Sequence, residues 1–274
     1  MTFRSPTEKH QYVNDMFARI AYRYDTVNRI MTAGQDKHWR KLLIQQAHLP
    51  PAGKLLDIAT GTGDIAFEAL HQQPHLSHVV GADFTLPMLR EARRRGAGEQ
   101  ESRRAAPTGD FAEPQVPYGQ EQNDTNIVSS PPRLSASPLP LSWSGADTLH
   151  LPFPDNTFDA VASGFLMRNV TSVPLALAEQ RRVCKPGGRV LILEIPRPAD
   201  NLFGRLFRLY FQRVVPFVGG LISGQRDAYK YLPASVEVFL GPNELKTEME
   251  KAGLDDVRYT MLMFNTVALH VGVK

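Results

Sequence analysis

The chain has 274 residues, of which 42% are apolar and 22% charged, with 31 basic against 28 acidic side chains and a net charge of +3. That length suits one large α/β domain with additions, and so balanced a charge selects no class of partner by itself. The single cysteine, Cys184, excludes an internal disulfide and a multi-cysteine metal site, and no apolar run reaches the roughly 20 residues of a spanning helix.

The opening MTFRSPTEKHQ has basic residues but no apolar stretch behind them, so no secretory signal is expected. Residues 7 to 48 read as helical, with Tyr12, Val13, Met16, Phe17 and Ile20 at helix spacing, and form an N-terminal helical cap over residues 1–50. GKLLDIATGTGDIAFEAL follows as a short apolar strand, a glycine turn and a helix. HVVGADF predicts a second strand and 85 to 95 a second helix.

Residues 97 to 142 break the rhythm. They hold seven of the 21 prolines, with much Ser, Gln, Glu and Asn and little apolar periodicity, which predicts a disordered insertion. Beyond it TFDAVASGF and GGRVLILEI are strands, with 173 to 184 helical between them. Segments 256 to 262 and 265 to 273 form a closing pair. Strands alternating with helices predict an α/β, Rossmann-like fold: a mostly parallel sheet with an antiparallel edge, in one domain over 1–274.

The first strand ends at Asp57, and Gly61, Thr62 and Gly63 open the helix after it. Glycines there admit close approach of a ligand to backbone N–H groups at a helix N-terminus. Asp83 ends the second strand 22 residues beyond Gly61, where a carboxylate can accept ribose hydroxyl protons. Asp147, ahead of LPFPDNTFD, could receive an amino group of the base. Gly61, Gly63 and Ala66 also satisfy the dinucleotide pattern, so a nicotinamide dehydrogenase and a non-catalytic nucleotide-binding protein stay open beside a methyltransferase. Asp57 before the glycines suits a cationic, amine-bearing cofactor better than a pyrophosphate.

Arg168 and Asn169 follow a strand at the carboxyl edge of the sheet, where open α/β folds bind ligands. There a guanidinium can stabilise a developing anion and an amide can orient an oxygen. The plainer alternatives are a salt bridge for Arg168 and a helix cap for Asn169. Tyr24 and Asp25 read as the end of the first helix, where a lid could close, with the phenol as hydrogen-bond donor and the carboxylate as base. Glu194 is a further base or a partner for Arg197. Trp39 reads as core, His38 as solvated and Cys184 as a buried filler. The segment 201 to 215 is an arginine-bearing apolar helix suited to a membrane interface or a greasy tunnel, and 216 to 225 a flexible connection. SPPR at 130 to 133 lacks the aromatic that would stack a flipped base, so no nucleic-acid partner is expected.

YDTVNRIMTAGQDKHWR (24 to 40), LPFPDNTFDAVASGFLMRNV (151 to 170), RVCKPGGRVLILEIPRP (182 to 198), AYKYLPASVEVF and VALHVGVK resemble, in order, the signature blocks of the ubiquinone/menaquinone biosynthesis C-methyltransferases. The resemblance covers the chain except 97 to 142. It implies a class I fold, S-adenosyl-L-methionine as cofactor with contacts at Thr62, Asp83, Asp147 and Thr148, and no metal. It further implies a ring carbon of a reduced polyprenyl quinone precursor as acceptor, demethylmenaquinol or the ubiquinol precursor. A cytoplasmic protein, peripheral at the inner face of the membrane and capable of homodimerisation, is the corresponding expectation. The chain departs from the family pattern at Gly164, at Glu194-Ile195-Pro196, and at MFNTVALH, which stands in place of a glycine-rich run. The last two departures fall on the acceptor side.

Overall fold

A computed structural model of the chain describes residues 3–105 and 139–274. Its sheet has seven strands in the order β3-β2-β1-β4-β5-β7-β6. These are β1 (Lys54–Ile58), β2 (His78–Asp83), β3 (Leu141–Gly145), β4 (Phe158–Gly164), β5 (Cys184–Glu194), β6 (Asp255–Leu262) and β7 (Val267–Val273). The first five run parallel, and β7 lies antiparallel between β5 and β6. The expected mostly parallel sheet closed by a C-terminal hairpin is therefore present, and the reversal from β1 to β4 leaves a crevice at the strands' carboxyl ends.

Both faces of the sheet are covered because neighbouring strand residues point to opposite sides. Leu56, Val161, Val190 and Ile192 meet α6 (Val173–Val183) and α10 (Pro242–Lys251). Leu55, Ala160, Leu191 and Leu269 meet α3 (Gln35–Ala47) and α4 (Asp64–Gln72). Cys184 is fully buried in the first of these cores, where burial pushes its thiol up to about 11.

The N-terminal helices are separate pieces. In α1 (Pro6–Ile20) the Ser5 hydroxyl accepts the Glu8 N–H at 3.1 Å, an N-cap with proline at the first helical position. A 3-10 turn at Ala21–Arg23 divides α1 from α2 (Tyr24–Met31), and left-handed Ala33 and Gly34 divide α2 from α3. Tyr24 and Asp25 consequently open α2 and do not close α1, which corrects their expected place at the end of the first helix. Val13, Met16 and Ile20 of α1 pack with Phe211, Tyr229 and Tyr231 in a third core, formed with α8 (Val215–Ser223) and α9 (Arg226–Glu237).

Two other expectations change. Helix α5 runs Leu86–Ala105, into the segment read as an insertion, and Leu141 and Ser142 at its far end begin β3. Residues 106–138 lie outside the described residues. Residues 216 to 225, read as a flexible connection, are largely helix α8. Pro216 occupies its first turn, where no N–H is needed, and a π-turn at Tyr210–Val214 joins α8 to α7 (Leu202–Leu209).

Trp143 of β3 binds this architecture to the glycine turn. Its ring lies across Gly81, its register partner on β2, so close that a Cβ on Gly81 would come within 2.3 Å of it. A Cβ on Gly63 would meet the same ring at 2.7 Å. Gly81→Ala should therefore overpack this site and destabilise the fold by about 1–3 kcal/mol. Urea unfolding checks this; an unchanged midpoint would mean that the indole moves freely.

Candidate active site

Beyond β1 the backbone turns through Ala59 (φ 52°), Gly61 (φ 58°) and Gly63 (φ 92°) before entering α4. Asp57 holds this turn from beneath. It is fully buried, and its Oδ2 accepts the Thr60 hydroxyl at 2.6 Å and the Ala66 N–H at 3.2 Å, while Oδ1 has no partner. Asp83 holds the turn from the side: its Oδ2 accepts the Gly61 N–H at 2.9 Å and its Oδ1 the Thr85 N–H at 2.8 Å. Burial raises both carboxyls above the usual carboxylate range, Asp57 to about 7. Asp83 faces a cleft with Gly61, Thr62, Phe84, Thr85 and Met88; Asp57 does not reach its surface.

Val13 and Phe17 of α1 and Tyr24 of α2 roof that cleft. An ionic chain ties the roof to the turn. Asp25 accepts the Thr62 hydroxyl at 2.6 Å and Arg95 Nη1 at 3.0 Å. Arg95 also donates to the Thr62 carbonyl at 2.8 Å and to Asp64 at 2.7 Å. Asp64 in turn holds Arg40 at 3.1 Å, and Arg40 pairs with Asp36. The two guanidiniums hold the Asp64 carboxyl below its ordinary value despite its burial.

A second, apolar chamber adjoins the first. Tyr24, Arg40 and Phe165 line both cavities. Trp39, Ile195, Phe211, Leu232, Met263 and Val267 supply its apolar wall, and Asn28, Thr32, Asp36 and Arg168 its polar one. Phe165 is held in the left-handed region (φ 58°) by its N–H bond to the Leu193 carbonyl at 2.7 Å, a strained position between the cavities. Arg168 pairs with fully buried Glu194, whose Oε1 also accepts the Ile195 N–H at 2.9 Å, while Arg168 Nε has no partner. Arg197, the other partner considered for Glu194, pairs instead with Glu244 at 2.7 Å. Asn169 lines the first cleft; its amide nitrogen donates to the Phe165 carbonyl at 2.9 Å and its oxygen accepts the Tyr231 hydroxyl at 3.1 Å. It caps no helix, because Ser172 caps α6.

The sequence candidates thus separate by place. Gly61, Thr62, Asp83 and Asn169 face the first cleft, Arg168 the second, and Tyr24 both. Asp25 faces neither and belongs to the ionic chain. Asp147 and Thr148 follow β3 away from both walls: Asp147 accepts the Leu149 N–H at 2.9 Å, and the buried Thr148 hydroxyl has no partner. Asp36 and Arg40 were missed as functional candidates. Their signal was available in the i, i+4 spacing of Asp36 and Arg40, which puts two opposite charges on one helical stripe.

Comparison with known proteins gives a single direction. Residues 6–106 and 135–274 match the ubiE/COQ5 methyltransferase family. A demethylmenaquinone methyltransferase of Thermus thermophilus is 41% identical over 94% of this chain and 99% of its own. A protein of Desulfotalea psychrophila named ubiquinone/menaquinone biosynthesis C-methyltransferase is 36% identical over 96% and 90%. Among solved structures, a SAM-dependent methyltransferase of Thermotoga maritima shares the fold at TM-score 0.55 and 16% identity, covering 95% of this chain and 99% of that one. Phosphoethanolamine N-methyltransferase 2 of Haemonchus contortus, solved with S-adenosylhomocysteine, does so at TM-score 0.56 and 14% identity, covering 86% and 52%.

The buried Asp57 makes stability depend on pH. Its folded pKa, about 7, lies above the unfolded value of about 3.9, so the folded state binds the proton more tightly. The resulting stabilisation is present below about pH 4 and is lost as pH rises through about 7. Asp57→Asn is neutral throughout and its amide oxygen can still accept from Thr60 and Ala66. The melting temperature of the wild type relative to this variant should fall between about pH 5 and about pH 8; parallel curves would mean that Asp57 is ionised throughout.

Proposed function

The chain belongs to the ubiE/COQ5 methyltransferase family, and from that premise we propose that it methylates a ring carbon of demethylmenaquinol with S-adenosyl-L-methionine as donor, in menaquinone biosynthesis. One observation carries the reading: a nucleotide-type cleft and an apolar chamber with a polar wall share Tyr24, Arg40 and Phe165, so a donor and a greasy aromatic acceptor can meet across one partition. A nicotinamide dehydrogenase has no support from the family match, and the C-terminal hairpin stands where a second mononucleotide half would be.

The first cleft fits the cofactor. Each Asp83 oxygen accepts one backbone N–H and keeps a lone pair for a ribose hydroxyl. Gly61 and Thr62 bring backbone close, Gly63 turns the chain into α4 behind them, and Phe84 and Met88 offer apolar walls to the base. Asp147 and Thr148 lie outside this cleft and are assigned no contact with the base. Asp57 and Asp25 act through the turn, holding Gly61 to Gly63 in place. When bound, the cofactor supplies an electrophilic sulfonium methyl.

The remaining work falls to the chamber. A hydroquinone ring carbon becomes nucleophilic as its phenolic proton leaves, and the charge that develops on oxygen needs a placed donor. Arg168 provides it: Glu194 fixes one side of the guanidinium and leaves Nε free. Asp36 is the carboxylate among the chamber's lining residues; it takes the phenolic proton and returns it to the oxygen as the methylated ring carbon gives up its hydrogen as a proton, so one proton leaves the site per turnover. Tyr24 hydrogen-bonds the acceptor oxygen at the partition, and Asn169 braces the Phe165 carbonyl and through it the partition itself. The apolar wall excludes water.

The chamber lies behind α7, the π-turn and α8, which expose Leu202, Leu206, Leu209, Phe217 and Leu221, with Arg205 and Arg213 among them. No described helix is long and apolar enough to cross a membrane. An acceptor dissolved in lipid favours reading this face as one that rests on an anionic bilayer. A second copy of the chain over the same face is the competing reading.

The discriminating assay presents reduced demethylmenaquinone and the demethylated ubiquinol precursor side by side; turnover of the latter alone would move the assignment to the ubiquinone branch. Asp83→Ala should weaken cofactor binding by about 1.5–3 kcal/mol. Arg168→Lys keeps a charge beside Glu194 but removes the Nε donor. It should lower kcat by roughly 10²–10³ with cofactor affinity unchanged. Asp36→Asn should also act on kcat, and retention of full turnover would remove it as the proton's acceptor. For the outer face, Leu206→Glu with Leu221→Glu should abolish co-sedimentation with anionic vesicles. Loss of a dimer in the same variant would favour the second copy.

A further inference from the structure

Beyond the chamber for the ring, the structure offers a path for the rest of such an acceptor. A third cavity opens beside the chamber. The two share Phe207 and Thr266 as common walls. The third is lined by Pro196, Pro198 and Ala199 before α7, by Phe203 and Phe207 of α7, and by Phe264 and Asn265 at the tip of the β6–β7 hairpin. Its outer end meets the exposed apolar face, since Phe203 and Phe264 are 46% and 80% exposed and their rings lie 6.0 Å apart. Its walls are mostly apolar, with Asn201, Asn265 and Thr266 as the polar members, and it runs on to the surface.

The hairpin tip is built at a conformational cost. Met263, Phe264 and Asn265 take φ of 44°, 52° and 65°, a run of left-handed backbone that glycine adopts freely and residues with a Cβ do not. Asparagine tolerates this region best, so the cost falls on Met263 and Phe264. The Thr266 N–H bonds to the carbonyls of Leu262 and Met263, at 3.2 and 3.1 Å, and holds the turn in this form. A turn that needs positive φ at successive positions can be made from glycine and asparagine alone, so the strain is informative about the side chains it keeps. Met263 walls the ring chamber and Phe264 walls the outer cavity.

We infer that this strained turn walls an exit channel for the isoprenoid tail of the acceptor, with Met263 at its inner end and Phe264, set against Phe203, at its mouth. The inference rests on the reading of a prenylated quinol as substrate. The occupant is a branched hydrocarbon chain, because the lining offers contact area and few polar groups, and because the channel continues an aromatic chamber outward to the apolar face. Phe264 acts as a specificity determinant for the tail and touches no reacting atom.

The test compares the full-length wild type with Phe264→Gly and Phe264→Ala on two acceptors, a prenylated demethylnaphthoquinol and the same ring without a tail. Glycine relieves the strain and alanine keeps it. Phe264→Gly should melt at or above the wild-type temperature and Phe264→Ala no higher than the wild type. Both should raise KM for the prenylated acceptor about tenfold or more, the scale of one lost aromatic contact. KM for the tail-less ring and affinity for S-adenosyl-L-methionine should be unchanged. Quenching of Trp39, which lines the chamber, gives quinone affinity without turnover and should show the same split. Equal losses on both acceptors, no loss on either, or a lower melting temperature for Phe264→Gly would each overturn the channel. A wild type that binds the prenylated quinone tightly, through Phe264, yet methylates neither acceptor would overturn the reaction and leave the channel standing.

Discussion

The site stands on an alternation of charge that runs Asp25, Arg95, Asp64, Arg40, Asp36. Arg95 comes from α5, Asp64 from the first turn of α4, and the other three from the N-terminal helices. Each link has low or partial exposure, so solvent screens it less than a surface pair. Apolar contacts fix the distance of α1 to α3 from the sheet but leave their orientation loose, and that is set, together with hydrogen bonds such as Arg189 to the Gln46 carbonyl, by this chain of charges. With it, the Thr62 hydroxyl, the roof of the cleft and the partition residue Arg40 take their positions from one another. A second tie, from Lys9 to the carbonyls of Arg168 and Val170 at 3.2 and 2.6 Å, fastens α1 to the loop that carries Arg168.

The Arg168–Glu194 pair belongs to a different economy. Burying both charges costs desolvation that their attraction repays only with good geometry and further hydrogen bonds. Glu194 receives such bonds from the Arg168 and Ile195 N–H groups, at 3.3 and 2.9 Å, whereas the Arg168 Nε–H has no acceptor. A buried donor left without a partner is unfavourable in the folded chain by itself. It fits a group whose partner arrives with the substrate.

The fold was legible because its signals are local and periodic. The apolar run at 55–58, the glycines after it and Asp83 at the next strand end each follow from a handful of adjacent residues. What escaped was set by tertiary context. Strand β3 is short and half-exposed, with Trp143 as its one strong strand former, and it pairs only because Gly81 leaves room for the indole. The breaks at Ala21–Arg23 and Ala33–Gly34 interrupt an apolar period that continues across them. Pro216 and the glycines of α8 signal a connection, and only the π-turn and packing against α9 turn the segment into helix. Within the site, Asp83 and Arg168 were readable from strand ends. Asp57 and Asp25 were readable as important but not as supports, because a carboxylate's partners lie on other elements. Asp36 and Arg40 carry no motif glycine or strand end to mark them; their meaning comes from Asp64 and from the chamber they face.

The chamber's polar wall sets a donor and an acceptor together. Arg168 can only donate, and it would accept a quinone carbonyl as readily as a hydroquinone oxygen. Asp36 can only accept while ionised, so a carbonyl beside it meets repulsion where a hydroxyl meets a partner. On the proposed reading the two together admit the dihydroxy form of the ring and turn away the oxidised one. Methylation would then follow the redox poise of the membrane's quinone pool with no dedicated sensor: an over-oxidised pool would starve the enzyme of acceptor even while precursor accumulates.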